Sequence, residues 1–326
     1  MFCALNAGGK HVKIKQRKKK GNYLMRKQGK VISAMLALVV ALGVSTVSAE
    51  ASLINSEQNT TTVSAAAAPR ISMPQGAYRL NLNINGRAVL EDRVFNLGGI
   101  TYVPLFRFAA SIGKFNFSYN GTTKTARVSG ENFELNATVG KLYIEANQRY
   151  FYTGRENILH DGEIYVPITP ICKALGSTFT YNQASSTFYI KSGDTTRLSW
   201  GSRVYRDDEV YWLARIISAE SRGEPMKGKI AVGNVVLNRV RSSAYPNTIY
   251  GVIFDKRFGI QFAPVANGTI YNTPNADSII AAKICLEGYT LSDEIIYFLN
   301  PAASTSSWIT NNRPYVFTIG KHSFYK

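Results

Sequence analysis

The chain has 326 residues, 38 Lys and Arg against 21 Asp and Glu, a formal charge of +17 and 45% hydrophobic residues. At about 150 residues per domain the length suggests two domains; the apolar content excludes a disordered chain, and three cysteines exclude a disulfide scaffold. A charge of +17 would ordinarily point to nucleic acid or an anionic surface, so its position along the chain decides its meaning.

Ten of the basic residues lie between Lys10 and Lys30, and residues 1–30 hold no acid. An uncharged apolar stretch follows from Val31 to Val47, then the small-residue pattern Val47-Ser48-Ala49 before Glu50. Basic region, apolar region and small-residue site read together as a secretory signal peptide over residues 1–49. No basic stop-transfer flank follows, so an uncleaved anchor is the lesser alternative. Met25 opens a tidier signal, and residues 1–24 read either as an overextended start or as a long basic region. Without residues 1–49 the balance is 28 basic to 21 acidic, or +7. The expectation is a secreted protein with no nucleic-acid partner and no stable membrane insertion after cleavage. A mild surplus of this kind suits anionic wall polymers.

Residues 50–74 are rich in Ser, Thr and Ala and read as a flexible tether. Alternating strands begin near residue 75, with Tyr78–Ile84 leading into the hairpin signal Asn85-Gly86. An internal repeat follows. Gly99-Ile100-Thr101-Tyr102-Val103-Pro104-Leu105 recurs as Gly162-Glu163-Ile164-Tyr165-Val166-Pro167-Ile168, and Phe117-Ser118-Tyr119-Asn120 recurs as Phe179-Thr180-Tyr181-Asn182. Each copy predicts a strand, a Val-Pro step, a short helix ending at glycine, and a hairpin.

These copies, residues 75–193, resemble the copper amine oxidase N-terminal-like stalk module. The resemblance implies a non-catalytic spacer or wall-binding domain. Copper would need several imidazoles, yet the chain holds only His11, His160 and His322, so no metal and no cofactor is expected. Tyr143, Tyr150, Phe151, Tyr152 and Tyr165 read either as a carbohydrate-stacking face or as core. Cys172 and Cys285 lie in apolar runs and read as buried thiols.

A polar link over 194–208 leads into residues 209–326. Asp207 or Asp208 is placed to cap a helix with Val210, Leu213, Ala214 and Ile217 on one face. That helix ends at Glu220 and Gly223, and Pro225 opens a second one running to about Arg241. Glu220 thus stands in the last turn of an apolar helix, against the preference of the helix dipole. A salt bridge to Arg215 or Arg222 is one explanation and a catalytic role is the other.

Residues 209–326 also carry Ala219-Glu220-Ser221-Arg222-Gly223-Glu224-Pro225 and Gly228-Lys229-Ile230-Ala231-Val232-Gly233-Asn234-Val235-Val236-Leu237-Asn238-Arg239-Val240. Tyr245-Pro246-Asn247, Gln261-Phe262, Tyr297-Phe298-Leu299-Asn300-Pro301, Trp308 and Gly320-Lys321-His322-Ser323-Phe324-Tyr325 follow. In this order the segment resembles the spore cortex-lytic, SleB/CwlJ-type cell wall hydrolases. The resemblance implies a mostly helical, lysozyme-like domain that cleaves peptidoglycan glycan strands, most simply by lytic transglycosylation. By motif position its acid is Glu220, and an apolar pocket would raise the carboxyl as such an acid requires.

Glu224 is the candidate second acid of a muramidase or other hydrolase, or else a helix-start residue. Glu287, Asp293 and Glu294 read as solvated. Phe262–Tyr271, turning at Asn267-Gly268, reads as a hairpin or flap walling a groove. Gln261, Phe262, Tyr297, Asn300, Trp308 and His322 are the candidate substrate-binding residues, although each has an alternative structural role. The whole reads as an α+β multidomain chain, a β-rich α/β repeat stalk joined to a mostly helical catalytic domain working at the cell wall or spore cortex. A non-catalytic peptidoglycan-binding protein is the rival reading.

Overall fold

A computed structural model describes residues 72–193, 198–257, 259–304 and 307–326. The expected export signal over residues 1–49 and residues 50–71 of the expected tether lie outside the described residues. The internal repeat becomes a symmetric pairing at the centre of a five-stranded sheet. Strands Ile100–Pro104 and Glu163–Pro167 run antiparallel with Val103 opposite Val166, flanked by Tyr78–Arg79 and Phe95–Leu97 on one side and Ile158–His160 on the other.

After each Val-Pro step the chain turns into a helix, α1 (Leu105–Ile112) and α2 (Ile168–Ala174). Pro104 and Pro167 stand at the N-caps with φ of −69° and −58°, values the pyrrolidine ring already imposes. A hairpin follows in each copy, Asn116–Asn120 with Thr125–Gly130 and Thr178–Asn182 with Thr187–Lys191. The first hairpin continues into a sheet with Phe133–Thr138, Tyr143–Ala146 and Arg149–Tyr152; the second pairs in parallel with Asn81–Ile84. Asn85 and Gly86 turn that strand back on Arg87–Val89 with φ of 51° and 85°, the geometry an Asn-Gly hairpin favours. Tyr78–Ile84 is not one strand, because the chain changes sheet at Leu80.

The aromatic residues expected as either stacking face or core are not free surface. Tyr165, Phe151 and Tyr152 are buried, and Tyr143 and Tyr150 pack against the core of the carboxy-terminal domain. The exposed rings of the two repeat hairpins are Phe117, Tyr119, Phe179, Tyr181 and Tyr189.

The carboxy-terminal segment is mainly helical: α3 (Gly201–Val204), α4 (Asp207–Ser221), α5 (Met226–Arg241), α6 (Ile249–Ile253), α7 (Ala263–Asn267), α8 (Ala276–Leu286) and α9 (Trp308–Asn312). Helices α4, α5 and α8 enclose a core that includes Leu213, Ile217, Ile230, Val236 and Ile284. They approach closely at Gly233, where a Cβ would lie 2.7 Å from Cys285 Sγ and 2.9 Å from Ile217 Cδ1. A three-stranded antiparallel sheet completes the domain, with His322–Tyr325 between Tyr297–Leu299 and Tyr315–Ile319.

Three sequence expectations change here. Neither Asp207 nor Asp208 caps α4. Arg206 is the N-cap and the acids fill the first turn, where their charge meets the positive end of the helix. Phe262–Tyr271 is not a hairpin: α7 ends at Gly268 in left-handed conformation, and a 3-10 turn follows over Thr269–Tyr271. Asn267 stays helical, so the Asn-Gly pair acts as a helix stop. Glu287 is not solvated, since only 4% of its side chain is exposed and it pairs with Arg149 of the repeat module. Asp293 and Glu294 are exposed, as read. The described part of residues 194–208 is mostly exposed but anchored at Gly201, which is buried and whose N–H donates to Asn147 O at 2.8 Å.

Candidate active site

Glu220 is the penultimate residue of α4 and is partly buried. Neither basic residue considered as its partner engages it. Arg215 Nη1 donates to the carbonyls of Tyr271 and Asn272, which ties α4 to the 3-10 turn, and its guanidinium lies 4.3 Å from the Tyr211 ring centroid. Arg222 is exposed, and its carbonyl accepts from Lys229 Nζ. With no cation to offset it, burial raises the Glu220 carboxyl from 4.5 to about 7.

Glu220 opens into a cleft of about 390 Å³. Gln261, Phe262, Tyr297, Asn300, Trp308 and His322 line the same cleft, so the structure brings together every sequence-predicted site residue except one. That one is Glu224. It precedes the N-cap of α5, and its Oε2 accepts the backbone N–H of Lys321 at 3.1 Å. Among the described residues Glu220 is the cleft's one carboxylate. Asp255 is buried nearby, but Arg257 holds it at 2.8 Å and keeps its carboxyl below the ordinary range.

Helix α5 contributes Arg239 to the cleft and, through a polar edge, holds the loop that leads to it. Asn234 Nδ2 donates to Tyr289 O and Asn234 Oδ1 accepts from Leu291 N, both at 2.9 Å. Asn238 Nδ2 reaches Ser292 O and Ile295 O, also at 2.9 Å. Arg239 Nε donates to Ile296 O at 2.8 Å, immediately before the strand Tyr297–Leu299. These bonds satisfy loop carbonyls that would otherwise be buried unpaired, and they fix where Tyr297 and Asn300 stand.

The family of this segment follows from its residues. Residues 223–325 match the family model described as Cell Wall Hydrolase. Over 122 residues the chain is 42% identical to the spore cortex-lytic enzyme of Bacillus cereus, a match covering 37% of this chain and 46% of that protein. Residues 223–325 are a cell wall hydrolase domain. The spore cortex-lytic enzyme of Bacillus subtilis (strain 168) is 38% identical over 120 residues, which cover 37% of this chain and 38% of the relative. The chain therefore spans less than half the length of these curated relatives. A solved structure of the catalytic domain of the germination-specific lytic transglycosylase SleB from Bacillus anthracis aligns at 41% identity, covering 37% of this chain and 97% of that one with a TM-score of 0.34. Residues 83–190 and 146–212 match the copper amine oxidase N-terminal domain, two overlapping matches across the internal repeat.

Within the hydrolase domain each candidate binding residue has a definite setting. Trp308 is 52% exposed at the rim, with Arg313 5.1 Å from its ring centroid and Tyr297 6.3 Å away. Phe262 is buried beneath Arg239. Gln261 Nε2 donates to Gly259 O, and Asn300 Oδ1 accepts from Ala302 N, so both also hold loop backbone. His322 is buried edge-on to Phe298, and burial lowers its imidazole below the usual value while Glu224 opposes the shift.

Arg239 was missed as a site residue. It is 5% exposed, lines the cleft, and lies 5.1, 5.2 and 5.7 Å from the ring centroids of Tyr245, Phe262 and Tyr297. The available signal was an arginine following Val235, Val236 and Leu237 in an apolar stretch, since such a charge is buried only when stacked or paired.

Proposed function

We propose that this chain cleaves the glycan strands of peptidoglycan as a lytic transglycosylase, with Glu220 as general acid and then general base. The carrying observation is the state of that carboxyl: it titrates near 7 through burial alone and lines an open cleft. A carboxylic acid still substantially protonated near neutral pH is suited to donate to a glycosidic oxygen. In the proposed reaction Glu220 gives its proton to the O4 leaving oxygen as the C1–O4 bond of the N-acetylmuramoyl unit breaks. The Glu220 carboxylate then takes the proton of that sugar's 6-hydroxyl while O6 bonds to C1. The product carries a 1,6-anhydro end, and the acid is restored without a second protein group.

Hydrolysis by two carboxylates would need a second one about 5 to 9.5 Å across the scissile bond. The single carboxylate among the described cleft residues favours the one-acid route. The aromatic and amide groups around it, Tyr297, Trp308, Gln261 and Asn300, suit sugar faces and N-acetyl groups. The relatives' names direct the proposal to spore cortex peptidoglycan, reached after export by the signal over residues 1–49. Among the described residues no helix is long and apolar enough to cross a membrane.

Purified cortex peptidoglycan treated with the chain should yield fragments with anhydro-muramic ends by mass spectrometry, and Glu220→Gln should yield none while remaining folded. Reducing ends would make the enzyme a hydrolase instead. Full activity in Glu220→Gln would remove the assignment, and no products from the unaltered chain would make it a binding protein.

A further inference from the structure

The internal repeat extends to two surface cavities that are related to each other. In the first copy, Leu105, Phe106, Tyr119 and Ala126, with Gly162–Ile164 from the other copy, line a cavity of about 240 Å³. The corresponding positions Ile168, Thr169, Tyr181 and Phe188, with Gly99–Thr101, line one of about 640 Å³. One exchange between the copies accounts for part of the difference. Phe106 rests against Phe117 with ring centroids 5.1 Å apart, whereas Thr169 puts no ring beside Phe179. The missing bulk reappears on the strand as Phe188 in place of Ala126, where it supports Phe179 at 5.8 Å and Tyr181 at 4.6 Å.

Phe179 and Tyr181, two residues apart on one strand, share a face. They stay 37% and 45% exposed although supported by Phe188, so they form a firm aromatic platform over an open space. Exposed apolar area of this kind marks a binding surface more often than a packing fault. The other wall is the hydrolase domain's Glu287–Tyr289 turn, so an occupant would touch both domains.

The electrostatics narrow the occupant. Lys173 Nζ donates to Glu287 O at 3.0 Å and lies 5.4 Å from the Phe151 ring centroid. The Glu287 carboxylate is taken by Arg149 and Tyr205. Both charged lining residues are thus engaged, which disfavours a phosphate or nucleic acid, whose affinity depends on available cations. Aromatic faces beside threonine hydroxyls suit a neutral ring that is apolar on its face and polar at its edge.

We propose that this cavity is a second glycan-binding site, taking an N-acetylhexosamine unit of a peptidoglycan strand and holding the strand beside the hydrolase domain. The proposal rests on the glycan reading of the cleft. Its test uses the full chain carrying Glu220→Gln, with binding read by cosedimentation on peptidoglycan and on glycan strands stripped of stem peptides. Thr169→Phe recreates the ring that the first copy already accommodates at Phe106. It should weaken binding to stripped strands about tenfold at an unchanged melting temperature, and Phe179→Ala with Tyr181→Ala should do the same.

Unchanged binding in Thr169→Phe would overturn the site. Binding to intact peptidoglycan alone would overturn it in favour of a stem-peptide ligand. Conversion of a dimer to a monomer by the Ala pair in sedimentation velocity would overturn it in favour of self-association. Because the readout is binding, cleavage that survives Glu220→Gln would remove the catalytic reading and leave a Thr169-dependent site standing.

Discussion

Arg149 of the repeat module holds Glu287 of the hydrolase domain through two hydrogen bonds of 2.7 Å, Nε to Oε1 and Nη2 to Oε2. Tyr205 donates a third, also 2.7 Å, to Oε1. Burial, with that bond added, pushes the Tyr205 hydroxyl well above its usual range. The stalk is therefore docked on the end of α8, and the cavity it shares with the hydrolase domain has a fixed wall.

The same cluster sets a stability expectation. Removing one partner of a buried pair leaves an uncompensated charge, at a cost of about 3 kcal/mol or more. Arg149→Ala should lower the unfolding free energy obtained from urea titration by an amount of that order. Replacing the set together, Arg149→Met with Glu287→Leu and Tyr205→Phe, should recover most of the loss. Equal losses in the single and combined variants would mean that packing, not charge, joins the domains.

Glu220 carries a pH expectation for both activity and stability. As general acid it must be protonated, so cleavage should fall on the alkaline side with an inflection near pH 7, where its carboxyl titrates. Its folded value lies above the unfolded 4.5, so the folded chain retains the proton longer. That contribution to stability is complete below about pH 4.5 and is lost as pH rises through 7. Glu220→Gln has no proton to lose. Its stability relative to the unaltered chain should increase between pH 5 and 8, by up to about 3 kcal/mol. A pH-independent difference in denaturation midpoints would contradict this account of burial.

What could be read in the sequence was what short-range chemistry specifies. The Val-Pro steps at Pro104 and Pro167, the interruption between Ser221 and Pro225, and the buried thiols of Cys172 and Cys285 all follow from local pattern. The cleft residues were legible because they recur as ordered motifs, not because periodicity places them together. Glu287 was misread because an acid before Gly288 looks solvated, and its partner stands 138 residues earlier in another domain. Asn267-Gly268 was misread because one dipeptide serves both hairpin turns and helix stops, and only the conformation of Asn267 separates them. Arg239 was passed over because its stacking partners come from three separate segments.

Trp308 offers a separation of binding from folding. Its ring is half exposed at the cleft rim, so Trp308→Ala should change stability by no more than about 0.5 kcal/mol. If the ring carries a sugar, KM for soluble glycan strands should rise about fivefold with kcat little changed. A large fall in melting temperature would instead show that its contacts with Arg313 and Tyr297 hold the rim in shape.

Glu224 distinguishes one-acid from two-acid chemistry. Its Oε2 accepts from Lys321 N, and its backbone carbonyl accepts from Lys229 Nζ, so it joins the start of α5 to the turn before His322. The approach is close: a Cβ on Gly320 would fall 1.8 Å from Oε2, at a backbone φ of +57° that disfavours other residues. Gly320→Ala should therefore displace the carboxylate and cost about 1 to 2 kcal/mol. Glu224→Gln keeps an acceptor oxygen for Lys321 but removes any acid function, so its turnover should fall less than tenfold, against complete loss in Glu220→Gln. Equal loss in the two Gln variants, both folded by circular dichroism, would restore Glu224 as a second acid and end the one-acid mechanism.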